Sequence, residues 1–160
     1  MKYGTLLILF VLLLFTNLNA QVADDYCETA TPICDFDGYY GNTSSTYTPY
    51  VSSSDGTDED DTTLGSVFCG SIENNSWLQF MASDVTADLD VDTYNCSDGA
   101  GIQMEIYETT DCYNFSSVSN CENSGVETDF VITASPLTPG EIYYLMIDGQ
   151  AGDVCEYTIS

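Results

Sequence analysis

The chain has 160 residues, 26 acidic side chains, one basic side chain (Lys2) and no histidine, for a formal net charge of −25. That balance excludes nucleic-acid binding, which needs Lys or Arg to displace counterions from phosphates. It also excludes an anionic membrane surface as a partner, and it removes the usual base and anion clamp from acid–base, triad and phosphoryl-transfer chemistry.

The N-terminus has three parts. Met1 to Thr5 carries Lys2, Leu6 to Phe15 is an unbroken apolar run, and Thr16 to Ala20 is more polar and ends in a small residue. This is the plan of a secretory signal peptide, expected to be cut after Ala20. Ten apolar residues make about 15 Å of helix, half of a hydrocarbon core, so a membrane span is excluded. The expected product is a secreted or cell-surface chain from Gln21 to Ser160. It keeps all 26 acids, loses Lys2, and has the length of a single domain.

All seven cysteines follow the signal: Cys27, Cys34, Cys69, Cys96, Cys112, Cys121 and Cys155. Export together with this count predicts disulfides rather than a thiolate metal site. Cys27 with Cys34, and Cys112 with Cys121, are close enough to close local loops, each contributing about 2–3 kcal/mol on the loop-entropy model. Three cysteines remain, so one thiol is free or pairs outside this chain. Spacing alone leaves the connectivity open.

Taken in order, the elements read as β. Cys27 to Cys34 is followed by Tyr39-Tyr40 and then by Thr43 to Thr63, a Ser/Thr/Asp-rich stretch expected to be a long flexible acidic loop. Trp77 to Ala82 is a compact apolar run. Thr86 to Thr93 alternates Ala87, Leu89 and Val91 with Asp88, Asp90 and Asp92. Ile102, Met104 and Ile106 alternate with Gln103, Glu105 and Tyr107, and Phe130 to Thr133 follows. Ile142 to Ile147 is apolar on both faces, which predicts a central strand, and Val154 to Ile159 alternates again. Asp98-Gly99, Pro139-Gly140 and Asp148-Gly149 read as turns. Short alternating runs with turn residues between them predict an all-β, antiparallel two-sheet sandwich, jelly-roll or Ig-like, stapled by disulfides.

Two candidate sites arise from residue type. Asp58, Asp60 and Asp61 lie in the long loop, where carboxylates could converge on Ca²⁺. The Asp88, Asp90 and Asp92 row is too straight for one ion, since its steps are about 6.6–7 Å. Tyr39, Tyr40, Tyr47 and Tyr50 cluster around the same loop, and their rings suit a glycan face or a protein partner. No acidic pair stands out as catalytic, and no cofactor other than Ca²⁺ is suggested.

The order Cys27-Glu-Thr-Ala-Thr-Pro-Ile-Cys34, Gly41-Asn42-Thr43, Cys69-Gly70, Glu73-Asn-Asn-Ser-Trp77-Leu-Gln-Phe80, Gly101 to Tyr107, Asp111-Cys112, Leu137-Thr-Pro-Gly140, Tyr143-Tyr144, Ile147-Asp148-Gly149 and Cys155-Glu-Tyr157 resembles a known module. That module is a β-sandwich near the N-terminus of large secreted Bacteroidetes surface proteins of the type IX secretion and gliding-motility class. The second half is also similar to bacterial pre-peptidase C-terminal domains, although Gly101 stands where that family often has Asp. The resemblance implies a non-catalytic spacer or adhesion module, with further domains of the same polypeptide beyond Ser160. The alternative it leaves open is a carbohydrate-binding accessory domain of an exported hydrolase, with Ca²⁺ assisting.

Overall fold

The computed structural model describes residues 22–49 and 63–160. The expected signal peptide, Tyr50 and the Asp58, Asp60 and Asp61 group lie outside the described residues. The elements are β1 (Thr31–Ile33), β2 (Tyr39–Asn42), α1 (Leu64–Val67), β3 (Ser76–Met81), β4 (Ala87–Tyr94), β5 (Ile102–Glu108), β6 (Ser116–Ser117), β7 (Phe130–Ala134), β8 (Ile142–Gly149) and β9 (Glu156–Ile159). They form two sheets, ordered β1-β3-β8-β5-β6 and β2-β9-β4-β7. The all-β two-sheet sandwich is therefore present, with the doubly apolar β8 at the centre of the five-stranded sheet.

The period-two pattern sets which side chains meet. Leu78 and Phe80 of β3, Met104 and Ile106 of β5, and Leu145 and Ile147 of β8 point inward. Leu89, Val91, Ile132, Tyr157 and Ile159 meet them from the second sheet. The register is direct: Leu78 and Ile106 both lie opposite Leu145, on either side of β8. Asp88, Asp90 and Asp92 take the exposed face of β4, as the alternation predicts.

One pair departs from the antiparallel rule. β1 runs parallel to β3. The chain leaves the first sheet after β1, adds β2 to the second, and returns through α1, so β3 enters from the same end as β1. A parallel pair requires such a crossover. At the far side, Asn120 blunts the free edge of β7. Its side-chain nitrogen donates to the Val131 carbonyl at 3.0 Å, and its side-chain oxygen accepts from the Thr133 N–H at 2.6 Å. An occupied edge cannot recruit another strand.

The outer face of the first sheet is buried too. Trp77, Tyr107 and Met146 project there and are covered by Ala30, Leu64, Phe68 and Phe115. Trp77 stacks on Phe115 with ring centroids 5.4 Å apart. Among the described residues this cover consists of the four-residue α1, the Cys27–Thr29 turn and irregular chain, and two disulfides hold it.

The disulfides are Cys27–Cys112, Cys69–Cys121 and Cys96–Cys155, and Cys34 is free and exposed. The local pairs Cys27–Cys34 and Cys112–Cys121 are not formed. A strand intervenes in each case, β1 in the first and β6 in the second. Extended chain carries the thiols beyond the Cα separation of about 4.4–6.8 Å that a disulfide accepts. The observed bridges span 85, 52 and 59 residues, so each constrains the unfolded chain by about 4 kcal/mol on the same model, more than a local bridge would.

The start of the predicted long loop belongs to the fold. The Thr43 hydroxyl donates to the Asp153 carbonyl at 2.9 Å and accepts from the Cys155 N–H at 2.8 Å. Thr48 is held by the Asp25 carboxylate through its N–H and its hydroxyl. Among the described residues, no helix is long and apolar enough to cross a membrane.

Replacing Cys96 and Cys155 together by Ser should lower the unfolding free energy by about 2–4 kcal/mol in urea titration. Cys34→Ser should leave it unchanged. Alkylation of the unreduced, denatured chain should label one thiol, at Cys34.

Candidate functional site

The outer face of the first sheet carries polar side chains as well as Trp77 and Tyr107. Gln103 on β5 and Asp148 on β8 are direct cross-strand partners and share this face. The segment leading into β3, from Cys69 to Asn75, crosses above them. At its near end a Cβ on Gly70 would lie 1.8 Å from the Gln103 side-chain oxygen, so a larger residue there would have to displace the Gln103 side chain. At its far end Asp148 captures the chain. Asp148 Oδ1 accepts the N–H groups of Glu73 at 3.0 Å and Asn74 at 2.8 Å. Asn74 answers reciprocally, its Oδ1 accepting the Gly149 N–H at 2.9 Å.

Asp148-Gly149 is therefore not a turn. Both residues belong to β8, and the sequence expectation of a turn there is corrected. Gly149 is glycine for contact reasons: a Cβ would lie 1.9 Å from the Asp153 carbonyl oxygen and 2.8 Å from Asn74 Oδ1.

Asp148 is fully buried. Burial pushes its carboxyl up to about 7; the N–H groups of Asn74 and Glu73 pull the other way, and the neighbouring Glu73 carboxylate adds to the rise. Asp148 Oδ2 and Glu73 Oε2 are both buried and have no donor. Two carboxylates can bond to each other only with a proton held between them. Gln103 Oε1 is buried without a donor as well.

Two other buried acids are fully served. Asp153 accepts from Ser97 Oγ at 2.7 Å and from the N–H groups of Asp98, Ala100, Gly101 and Val154. Burial alone would raise its pKa, but these donors outweigh it and hold Asp153 below the ordinary carboxylate range. Glu105 accepts from Tyr107 Oη at 2.8 Å and from Ser117 Oγ. The nearby Cys69 and Cys121 sulfurs are bonded to each other and hold no thiolate.

The tyrosines expected to mark a contact surface partly converge. Tyr39, Tyr40 and Tyr47 line a hollow of about 160 Å³ beside Ala23 and Gly41. Tyr39 is a core residue with its ring 6.2 Å from that of Tyr157, and burial pushes its phenol up to about 12. Tyr47 donates to the Ala23 carbonyl at 3.0 Å, and Tyr40 is exposed. The free Cys34 lies on a separate cleft of about 280 Å³ with Phe36, Phe80 and Met81.

No family model, curated protein or solved structure matches the chain. The chemistry of the site thus rests on its own residues.

Sequence reasoning missed Asp148, Glu73 and Gln103. The available cue was an acid ending a run apolar on both faces, Ile142-Tyr-Tyr-Leu-Met-Ile-Asp148. A strand buried on both sides gives its terminal acid no solvent face.

Burial of Asp148 has a pH consequence. With a folded pKa near 7 against 3.8, the folded state holds a proton that the unfolded chain releases near pH 4. Stability should fall as pH rises through this window, by on the order of 4 kcal/mol. Urea unfolding in metal-free buffer from pH 5 to 8 should show the decline. Asp148→Asn keeps the Oδ1 acceptor and should remove most of it; equal slopes in both proteins would refute the assignment.

Proposed function

We propose that the chain is a secreted, non-catalytic β-sandwich module that spaces or presents other domains at a bacterial cell surface. The observation that carries this reading is the covalent path through the disulfides. Force entering at Cys27 passes to Cys112, follows the backbone back to Cys96, and leaves through Cys155. That path has 16 residue steps, where the backbone from Cys27 to Cys155 has 128. Its contour is about 55 Å, against about 440 Å for the unbridged chain. The segment holding Asp58, Asp60 and Asp61 lies off the path and carries none of the tension.

A domain that cannot lengthen suits a spacer between a surface and an adhesive or catalytic partner. Three disulfides also fit an oxidising, extracellular compartment, in keeping with the N-terminal signal and with the resemblance to secreted Bacteroidetes modules. Stretching the oxidised chain from its ends should release no more than about 55 Å between Cys27 and Cys155. Reductant should convert this to a release of several hundred Å. A long release with the disulfides intact would overturn the reading, as would turnover of any substrate by the purified chain.

The tyrosine-lined hollow favours a second reading, carbohydrate binding by an accessory domain. Tyr40 offers an exposed ring at its rim. On this reading, glycan-array binding should appear and should fall at least tenfold in Tyr40→Ala, the loss of about 1.4 kcal/mol or more. Absence of binding across the array would dispose of it.

A further inference from the structure

Asp148 and Glu73 each keep one buried carboxylate oxygen without a donor, Oδ2 and Oε2. The two carboxyl groups lie within hydrogen-bonding reach of each other, and a single proton between them serves both oxygens. The same contact holds a stretch of chain. Cys69 to Asn75 crosses the outer face of the first sheet and is fastened at both ends. At Cys69 the fastening is covalent, through Cys121, and the Asn123 side-chain nitrogen donates to the Cys69 carbonyl at 3.0 Å. At Glu73 and Asn74 it is the Asp148 carboxyl, which accepts both N–H groups, with the Gly149 N–H donating to Asn74 Oδ1. Ile72, between the two ends, packs on the cluster that contains Trp77.

The surroundings leave Glu73 as the acid that meets Asp148. On β5, Gln103 lies directly opposite Asp148 and does not titrate. Glu105, two residues further on, is turned to Tyr107 and Ser117. After β8, the Asp153 carboxylate is turned to Ser97 and to the N–H groups of Asp98, Ala100 and Gly101. β3 carries no titratable side chain. Ionising both Glu73 and Asp148 therefore sets two like charges against each other in a site shielded from water. A change of charge there acts on one end of the segment and leaves the covalent end alone.

We infer that the proton shared by Glu73 and Asp148 is a latch: while it is held, the Cys69–Asn75 segment is closed over the first sheet, and its loss frees the Glu73–Asn74 end while the sandwich stays folded. Burial sets the direction. The Asp148 carboxyl stands at about 7 in the closed state against its ordinary 3.8. Closing is therefore favoured at low pH, and that preference is lost as pH rises through the interval. The segment lies off the covalent path from Cys27 through Cys112 and Cys96 to Cys155, so opening leaves that path intact. The latch does not depend on the spacer reading.

The test is residue-resolved amide hydrogen exchange of the oxidised chain from pH 5 to 8. After correction for the intrinsic pH dependence of exchange, protection of the Glu73, Asn74 and Gly149 N–H groups should fall about a hundredfold between pH 5 and 7 and level off above. Their exchange should respond little to low urea, as a local opening does, while the paired amides of β4 show the full urea dependence of global unfolding. Glu73→Gln puts an amide donor beside Asp148 and removes the need for a shared proton, so protection should stay high and flat to pH 8. Asp148→Asn should behave alike through its own amide nitrogen. Glu73 is half-buried, so its variant keeps the test decisive if Asp148→Asn fails to fold. Protection that does not fall between pH 5 and 7, a fall unaltered in Glu73→Gln, or a urea dependence equal to that of β4 would overturn the proposal.

Discussion

The structure depends on keeping water from both faces of the first sheet. Its inner face meets the second sheet in the ordinary way of a sandwich. Its outer face carries Trp77, Tyr107 and Met146, all with no exposed surface. Leaving such side chains in water would cost about 1.5–3 kcal/mol for each of the apolar ones. Among the described residues, no third sheet or long helix covers them. The cover is a single helical turn, the Cys27–Thr29 turn, and the chain around Phe115. Segments this short have little stability of their own. Cys27–Cys112 and Cys69–Cys121 supply the connectivity that secondary structure does not, and every residue beneath the cover depends on them.

The same cover traps polar groups, and the composition limits how they can be satisfied. A protein with Lys and Arg to spare pairs its buried acids with them. Here three other devices appear. Asp153 gathers backbone N–H groups and a serine hydroxyl, and its carboxylate is stabilised in the charged form. Glu105 takes two hydroxyls, so burial still raises its pKa. Asp148 takes two N–H groups on one oxygen and leaves the other facing Glu73. The first two carboxylates organise their loops with local donors. The third turns its second oxygen to another carboxylate, and burial there favours its protonated form.

The disulfides also decide how tension travels. Cys96–Cys155 joins the end of β4 to the start of β9, and Cys27–Cys112 ties the N-terminal segment to the chain after β5. Between them only residues 96–112 carry the load, and β5 within that span is paired to β8 over six register positions. Covalent links and the central strands thus reinforce the same part of the molecule.

Much of the fold was legible in the chain. The alternation of Leu89 and Val91 with Asp88 and Asp90 determines a strand and its buried face, because period two leaves no other amphipathic solution. The doubly apolar Ile142 to Ile147 run determines a central strand, because only a central strand has neighbours on both sides. Seven cysteines leave at least one thiol without a partner in the chain, and Cys34 is that residue. What the tertiary structure decided is everything that joins distant segments. Cysteine pairing followed strand direction rather than sequence proximity, since an extended β1 or β6 drives neighbouring thiols apart. Gln103 and Glu105, polar members of an alternating strand, became buried because a cover folded over a face that the strand by itself would leave in water. Asp148 left the turn that its Asp-Gly sequence suggests and met Glu73, 75 residues earlier. Local pattern reports the nearest neighbours of a residue along one strand. A contact between the end of one strand and the approach to another exists only once the sheet has closed.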